Sequence, residues 1–172
     1  PADTRFHALL DKIFYDRLAD NPEGATQLGL DTGTRAVLRS KLNDGSVAAQ
    51  KRELARAKAD RAAIKRVNRA ALSPAAQLDW DILDYQLGRS IAGAERFTYG
   101  ASLGRFSPYV LSQLSGAYRD VPDFLDSQHR IADATDADAY MARLGAFAKA
   151  IDDDSERQRA DAAKSVFAPD YI

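Results

Sequence analysis

The sequence predicts an all-α protein, a helical bundle of about five to seven helices. Three observations carry the prediction. Apolar residues recur at helical spacing, as in Phe6, Leu9, Leu10, Ile13, Phe14 and Leu18. Alanine is abundant, and the 10 Gly and 6 Pro among 172 residues sit at plausible helix boundaries. No stretch shows the two-residue alternation of a strand. A chain of this length buries its own core, so residues 1–172 read as a single helical domain.

The first helix covers residues 4–20 and is broken by Asn21-Pro22. Pro22 then stands at a first helical position of one or two further turns that reach Leu28. Gly29 to Gly33 is a loop in which Asp31 and Thr32 are turn formers. Residues 46–71 form a long surface helix with a thin apolar edge of Leu54, Ala57, Ala62 and Ile64. Its basic residues are mixed with Glu53 and Asp60 and lack interleaved aromatics, which is the pattern of a solvated face.

Ser73-Pro74 starts a helix that runs to about Ala94, with Ser as cap and Pro at the first position. Leu78, Ile82 and Tyr85, together with Trp80, Leu83, Leu87 and Ile91, give it a wide apolar face and a central place in the core. Asp79, Asp81 and Asp84 lie along the same helix. Asp81 and Asp84 share a face, and without a nearby His they read as an exposed charged face rather than a metal or acid/base pair.

Residues 96–120 differ in texture. Phe97, Tyr99, Phe106, Tyr109 and Tyr118 are spread among Gly100, Gly104, Gly116 and several Ser. Aromatics on such a connection either line a binding cleft or pin a loop onto a core, and both readings stand. Pro108 to Leu114 is expected to form a short helix. Another begins at Val121, with Pro122 in its first turn, and ends near His129. Thr135 is expected to cap the last long helix, with Asp138 completing a capping box. Tyr140, Leu144, Phe147 and Ile151 should face inward, and the charged run Asp152 to Lys164 should project over solvent or against something absent. The expected core is Phe6, Leu10, Ile13, Phe14, Leu78, Ile82, Leu83, Leu87, Tyr140, Leu144, Phe147 and Ile151.

Composition excludes more chemistry than it suggests. With 24 Lys+Arg against 25 Asp+Glu, the formal net charge of −1 offers no electrostatic reason for a nucleic-acid partner or an anionic membrane. Zero Cys excludes disulfides, thiolate metal sites and cysteine nucleophiles, and two His exclude a three-histidine site. No apolar run is long enough for a transmembrane segment. Gly-rich phosphate loops, H-E-x-x-H and G-x-S-x-G are absent. His7 lies on the first amphipathic helix. His129 lies near a helix C-terminus, where the dipole favours a cation. No catalytic and no metal-binding residue is therefore assigned in this chain.

Several segments in order carry a family resemblance. They are Phe6-His7-Ala8-Leu9-Leu10-Asp11, Asp20-Asn21-Pro22-Glu23 and Gln27-Leu28-Gly29-Leu30-Asp31. Ala71-Leu72-Ser73-Pro74 follows, leading to Gln77-Leu78-Asp79-Trp80-Asp81-Ile82-Leu83, then Gln113-Leu114-Ser115-Gly116 and Val121-Pro122-Asp123-Phe124-Leu125. Ala137-Asp138-Ala139-Tyr140-Met141-Ala142-Arg143-Leu144 completes the set. This set resembles the bacterial domain of unknown function 885 family, whose members look like zinc-dependent peptidases of the gluzincin type.

The resemblance implies that the chain is the N-terminal helical portion of a larger α-helical metallopeptidase-like fold. Its zinc motif would lie downstream of residue 172, so zinc belongs to the full-length protein and no cofactor to this chain. The helices would wall a cleft over a peptide substrate, with Tyr109, Gln113 and Tyr118 as the substrate contacts. The abrupt Phe167-Ala168-Pro169-Asp170-Tyr171-Ile172 fits a chain that runs on, or else a last segment that docks on the core. Pro1 without a preceding Met fits a removed export leader, hence a periplasmic or secreted protein, and fits a trimmed chain equally. A face left exposed by truncation would offer a route to self-association. The alternative function is a stand-alone helical protein-interaction domain that uses the aromatic loop 97–118.

Overall fold

The computed structural model of the protein describes residues 2–100 and 108–169. Among them the fold is all-α, as expected. The helices are α1 (Ala2–Leu18), α2 (Pro22–Gln27), α3 (Val47–Lys65), α4 (Pro74–Arg96), α5 (Ala117–Ser127) and α6 (Ala134–Ala162). Two 3-10 helices, Gly33–Ser40 and Arg69–Ala71, supplement them, and an antiparallel bridge joins Ser112 to Ser115. The described residues form two compact units. Unit 1 holds residues 2–16 and 48–98; unit 2 holds residues 17–47, 99–100 and 108–169.

Unit 1 is built from α1, α3 and α4. Ser73 caps α4, its hydroxyl accepting from the Ala76 N–H at 3.4 Å, with Pro74 at the first helical position. The Ser73 N–H in turn donates to Asp3 at 3.0 Å, and hydrogen bonds from Ser73 hold the Asp3 carboxyl below its usual range. The core joins Ile13, Ala57, Ile64, Leu87 and Ile91, with Leu9, Leu54, Trp80 and Leu83 packed on them. A second cluster, Phe6, Leu72 and Ala76, also touches Trp80. Trp80 ties the clusters together and satisfies its indole N–H on the Ile64 carbonyl at 3.0 Å.

The expectation that Phe14, Leu78 and Ile82 belong to the core is corrected. They are 43%, 59% and 46% exposed. The inward stripe of α4 is Ala76, Trp80, Leu83, Leu87 and Ile91, a narrower arc than the run of apolar residues offered. The expected helix over 46–71 is also shorter. It ends at Lys65, and Asn68 caps the 3-10 helix that follows, its side chain accepting from Ala70. Asp81 and Asp84 are held by arginines. Arg69 grips Asp81 with two bonds of 2.7 and 2.6 Å, and Arg61 reaches Asp84 at 2.7 Å. These hydrogen bonds lower both carboxyls and raise both guanidiniums.

Unit 2 contains α2, the Gly33–Ser40 helix, α5 and α6. Asn21 caps α2 by accepting from the Gly24 N–H at 3.0 Å, with Pro22 at its start as expected. Leu18, Ala25 and Leu38 form one apolar cluster with Leu30. Val121, Phe124 and Leu125 form another, against Leu42, Tyr140, Phe147 and Ala150.

Five expectations fail in this unit. Residues 108–114 are bends and a tight turn rather than a helix. Helix α5 begins at Ala117, so Pro122 lies inside it. Asp133, not Thr135, caps α6, accepting from the Asp136 N–H at 2.9 Å. Leu144 and Ile151 face outward, because α6 turns Tyr140, Arg143, Phe147 and Ala150 inward instead. The charged second half of α6 does not simply project over solvent, since Asp153, Asp154 and Asp161 are buried.

Candidate functional site

Three charged side chains in the second half of α6 bind backbone. Asp154, Arg157 and Asp161 fall at i, i+3 and i+7, one stripe of the helix. Asp161 accepts from the Gly100 N–H at 2.8 Å, and Arg157 donates to the Gly100 carbonyl at 2.9 Å. Asp154 accepts from the Ala117 N–H at 2.6 Å, a carboxylate at the N-terminus of α5 where the helix dipole favours it. Arg157 also bonds Asp154 at 3.4 Å. Burial raises the Asp154 carboxyl above its usual range, against the Ala117 hydrogen bond that lowers it. This stripe thus anchors Gly100 and Ala117, which flank the aromatic, glycine-rich connection. It also explains why α5 starts four residues earlier than its sequence suggests.

Within the connection, residues 112–115 form a closed two-residue turn. The Ser112 N–H donates to the Ser115 carbonyl at 3.1 Å, the two hydroxyls meet at 2.9 Å, and the Leu114 N–H donates to the Ser112 hydroxyl at 3.1 Å. The Tyr118 hydroxyl donates to the Ser112 carbonyl at 2.6 Å. Gly116 follows at φ +124°, a conformation side chains resist, and a Cβ there would lie 2.5 Å from Leu111 Cδ2. Replacing Gly116 with Ala should therefore destabilise the protein by about 1–3 kcal/mol, read as a lower urea midpoint at unchanged slope.

Beside this turn lies a cleft of about 190 Å³ lined by Tyr109, Val110 and Leu111, by Gln158, Asp161 and Ala162 of α6, and by Val166, Phe167 and Ala168. Ser165, at φ 63°, ends α6 and turns the chain back along it. The cleft is lined mostly by apolar atoms, with one buried carboxylate, Asp161, in its wall. Of the three expected contact residues, Tyr109 lines the cleft. Gln113 is exposed at the tip of the turn, and Tyr118 is half exposed with its hydroxyl engaged by the turn. The structure thus divides them between the cleft and the turn. Phe106 and Gly104 lie outside the described residues.

A second arrangement has no counterpart in the sequence reading. Arg143 of α6 is 0% exposed. Its guanidinium donates to the Lys41 carbonyl at 2.8 Å, His129 Nδ1 at 2.7 Å, Thr26 Oγ1 at 2.7 Å and the Leu38 carbonyl at 3.2 Å. It also stacks over Phe124 at 4.8 Å. Thr26 relays to buried Asp31 at 2.7 Å, which Arg39 also reaches at 3.2 Å. Arg39 then bonds Asp136 at 2.6 Å. Burial pulls Arg143 down to about 10, with Asp31 and Glu23 opposing, so it stays charged at neutral pH.

His129 lies just past the C-terminus of α5, but not as the cation that the helix dipole would favour. It is 5% exposed and serves as an acceptor, and burial lowers its pKa. Periodicity carried no signal for this hub, because Arg143 stands in an ordinary amphipathic run and Asp31 in an ordinary turn.

Among the described residues no three His, Cys, Asp or Glu converge as a metal would require. None of the described helices is long and apolar enough to cross a membrane.

A family model described as "Bacterial protein of unknown function (DUF885)" matches residues 22–172. No curated protein matches the sequence. Among solved structures, one described as "the putative lipoprotein from Colwellia psychrerythraea" superposes with a TM-score of 0.82 at 22% identity. The match covers 97% of this chain and 29% of that one, so the chain spans less than a third of that protein's length.

Proposed function

The chain belongs to the DUF885 family, and on that basis we propose that it is the N-terminal helical region of a longer, extracytoplasmic zinc-dependent peptidase. In this reading it forms one wall of the peptide cleft and is not catalytically competent alone. The observation that carries the wall role is the cleft at Tyr109 beside a hydrogen-bonded turn that holds Gln113 outward. A fixed turn loses little entropy on binding, so Gln113 meets a peptide backbone already oriented. The similarity of nearly the whole chain to 29% of a longer protein supports a fragment-like role, and that protein's description as a lipoprotein supports the location.

In this reading, as the family resemblance implies, the metal and its ligands belong to sequence downstream of residue 172. The zinc would supply an activated water. This chain's residues would bind and orient the peptide.

In the protein that includes the downstream sequence, Tyr109→Ala and Gln113→Ala should each raise KM for a peptide substrate about tenfold, with kcat less affected. Unchanged kinetics in both variants would remove the wall role. The 172-residue chain alone should bind no stoichiometric zinc, and one tightly held zinc per chain would overturn the assignment of the metal.

A second reading, a stand-alone interaction domain using loop 97–118, is favoured by Leu114, which is 74% exposed on the same fixed turn. Outward Leu78, Ile82 and Tyr85 on α4, and Met141, Leu144 and Ile151 on α6, would serve self-association. Light scattering that stays monomeric at high concentration would argue against that role.

A further inference from the structure

His129 sits at the joint between α5 and α6, and both of its ring nitrogens are committed. Arg143 Nη1 reaches Nδ1 at 2.7 Å, and a guanidinium only donates. Nδ1 must therefore be the bare acceptor. The proton then lies on Nε2, which donates to the Asp136 carbonyl at 3.0 Å. A proton added to Nδ1 would set two N–H groups against each other at that distance.

The groups around the ring make this worse. Arg143 faces it from α6, and Arg39 adds a second cation from the Gly33–Ser40 helix. The Asp136 carboxylate is the nearby anion, and it is already bound by Arg39 and by the Ala132 N–H at 2.9 Å. Tyr140 of α6 offers its ring edge-on at 5.5 Å. From α5, Phe124 lies under Arg143. Asp31 and Glu23 act on Arg143 from the loop and from α2, and Thr26 stands between Arg143 and Asp31.

We infer that the buried His129–Arg143 pair is an acid-labile latch. With His129 neutral it locks the α5–α6 joint, through Arg143, to α2 and the Gly33–Ser40 helix; protonation of His129 opens it. A free imidazole titrates near about 6.5, and the native ring resists the proton, in keeping with the lowering that burial imposes. The unfolded or opened chain therefore binds the proton first. Stability from the latch is whole above about pH 6.5 and is lost as pH falls below it. The latch does not depend on the peptidase reading, and its test does not involve activity.

The test compares amide-exchange protection factors in the wild-type chain and in His129→Asn, between about pH 7.5 and about pH 5.5. Asn keeps an acceptor for Arg143 but cannot titrate. Wild-type protection in residues 22–41 and 134–147 should fall relative to α3 and α4, by an amount that a single imidazole caps at about tenfold, and in His129→Asn it should not. Constant wild-type protection, or an equal fall in the variant, would overturn the latch.

Should the variant fail to fold, imidazole nitrogen NMR on the wild type decides. The protein has only two His to assign. The latch requires the Nε2–H form of His129 at neutral pH and a titration midpoint below about 6.5. A proton on Nδ1, or a midpoint at or above that value, would refute it.

Discussion

Replacing Arg143 with Ala should cost about 3–5 kcal/mol, the range for removing one partner from a buried charged network. The side chain is wholly buried, and its loss strips donors from the Lys41 and Leu38 carbonyls, from Thr26 and from His129. It also leaves buried Asp31 with one cation fewer. For a chain of this size the thermal midpoint should drop by roughly 10 °C or more, followed by circular dichroism. Arg143→Lys should recover only part of the loss, because an ammonium cannot replace a planar fork that reaches several acceptors at once. Arg143→Met tests the other side. If it were as stable as the wild type, the hub would be a packing position and its hydrogen bonds dispensable.

The second large effect separates residues that look alike in the sequence. Phe6 and Leu78 are both apolar, both at helical spacing and both expected in the core. Phe6 is 1% exposed against Leu72, Ala76 and Trp80, whereas Leu78 faces solvent. Phe6→Ala should therefore cost about 3–5 kcal/mol, and Leu78→Ala no more than about 0.5 kcal/mol. Trp80, the single Trp, packs on the Phe6 cluster, so its fluorescence in a urea titration reports unit 1 directly. Equal losses from the two variants would mean that Leu78 is covered in solution, as the self-association proposed for α4 requires.

Much of the helical framework is readable from local chemistry. Asn21-Pro22 and Ser73-Pro74 start helices because a capping oxygen and a preset φ act within a few residues. The apolar stripe of α1 and the absence of strand alternation follow from the same short-range periodicity. The cleft residue Tyr109 also stood out, through the aromatic and glycine texture of its connection.

What escaped depends on distant residues. Periodicity marks a helix as amphipathic, but which part of a wide apolar face is covered depends on the neighbours available, so Leu78, Ile82, Leu144 and Ile151 ended outside. The start of α5 is moved to Ala117 by a carboxylate 37 residues away. Arg143, His129 and Asp31 are buried because partners from several elements meet them at hydrogen-bonding distance. A charge is tolerated inside only where such partners converge. That convergence is a property of the folded arrangement and leaves no trace in the spacing of residues along the chain.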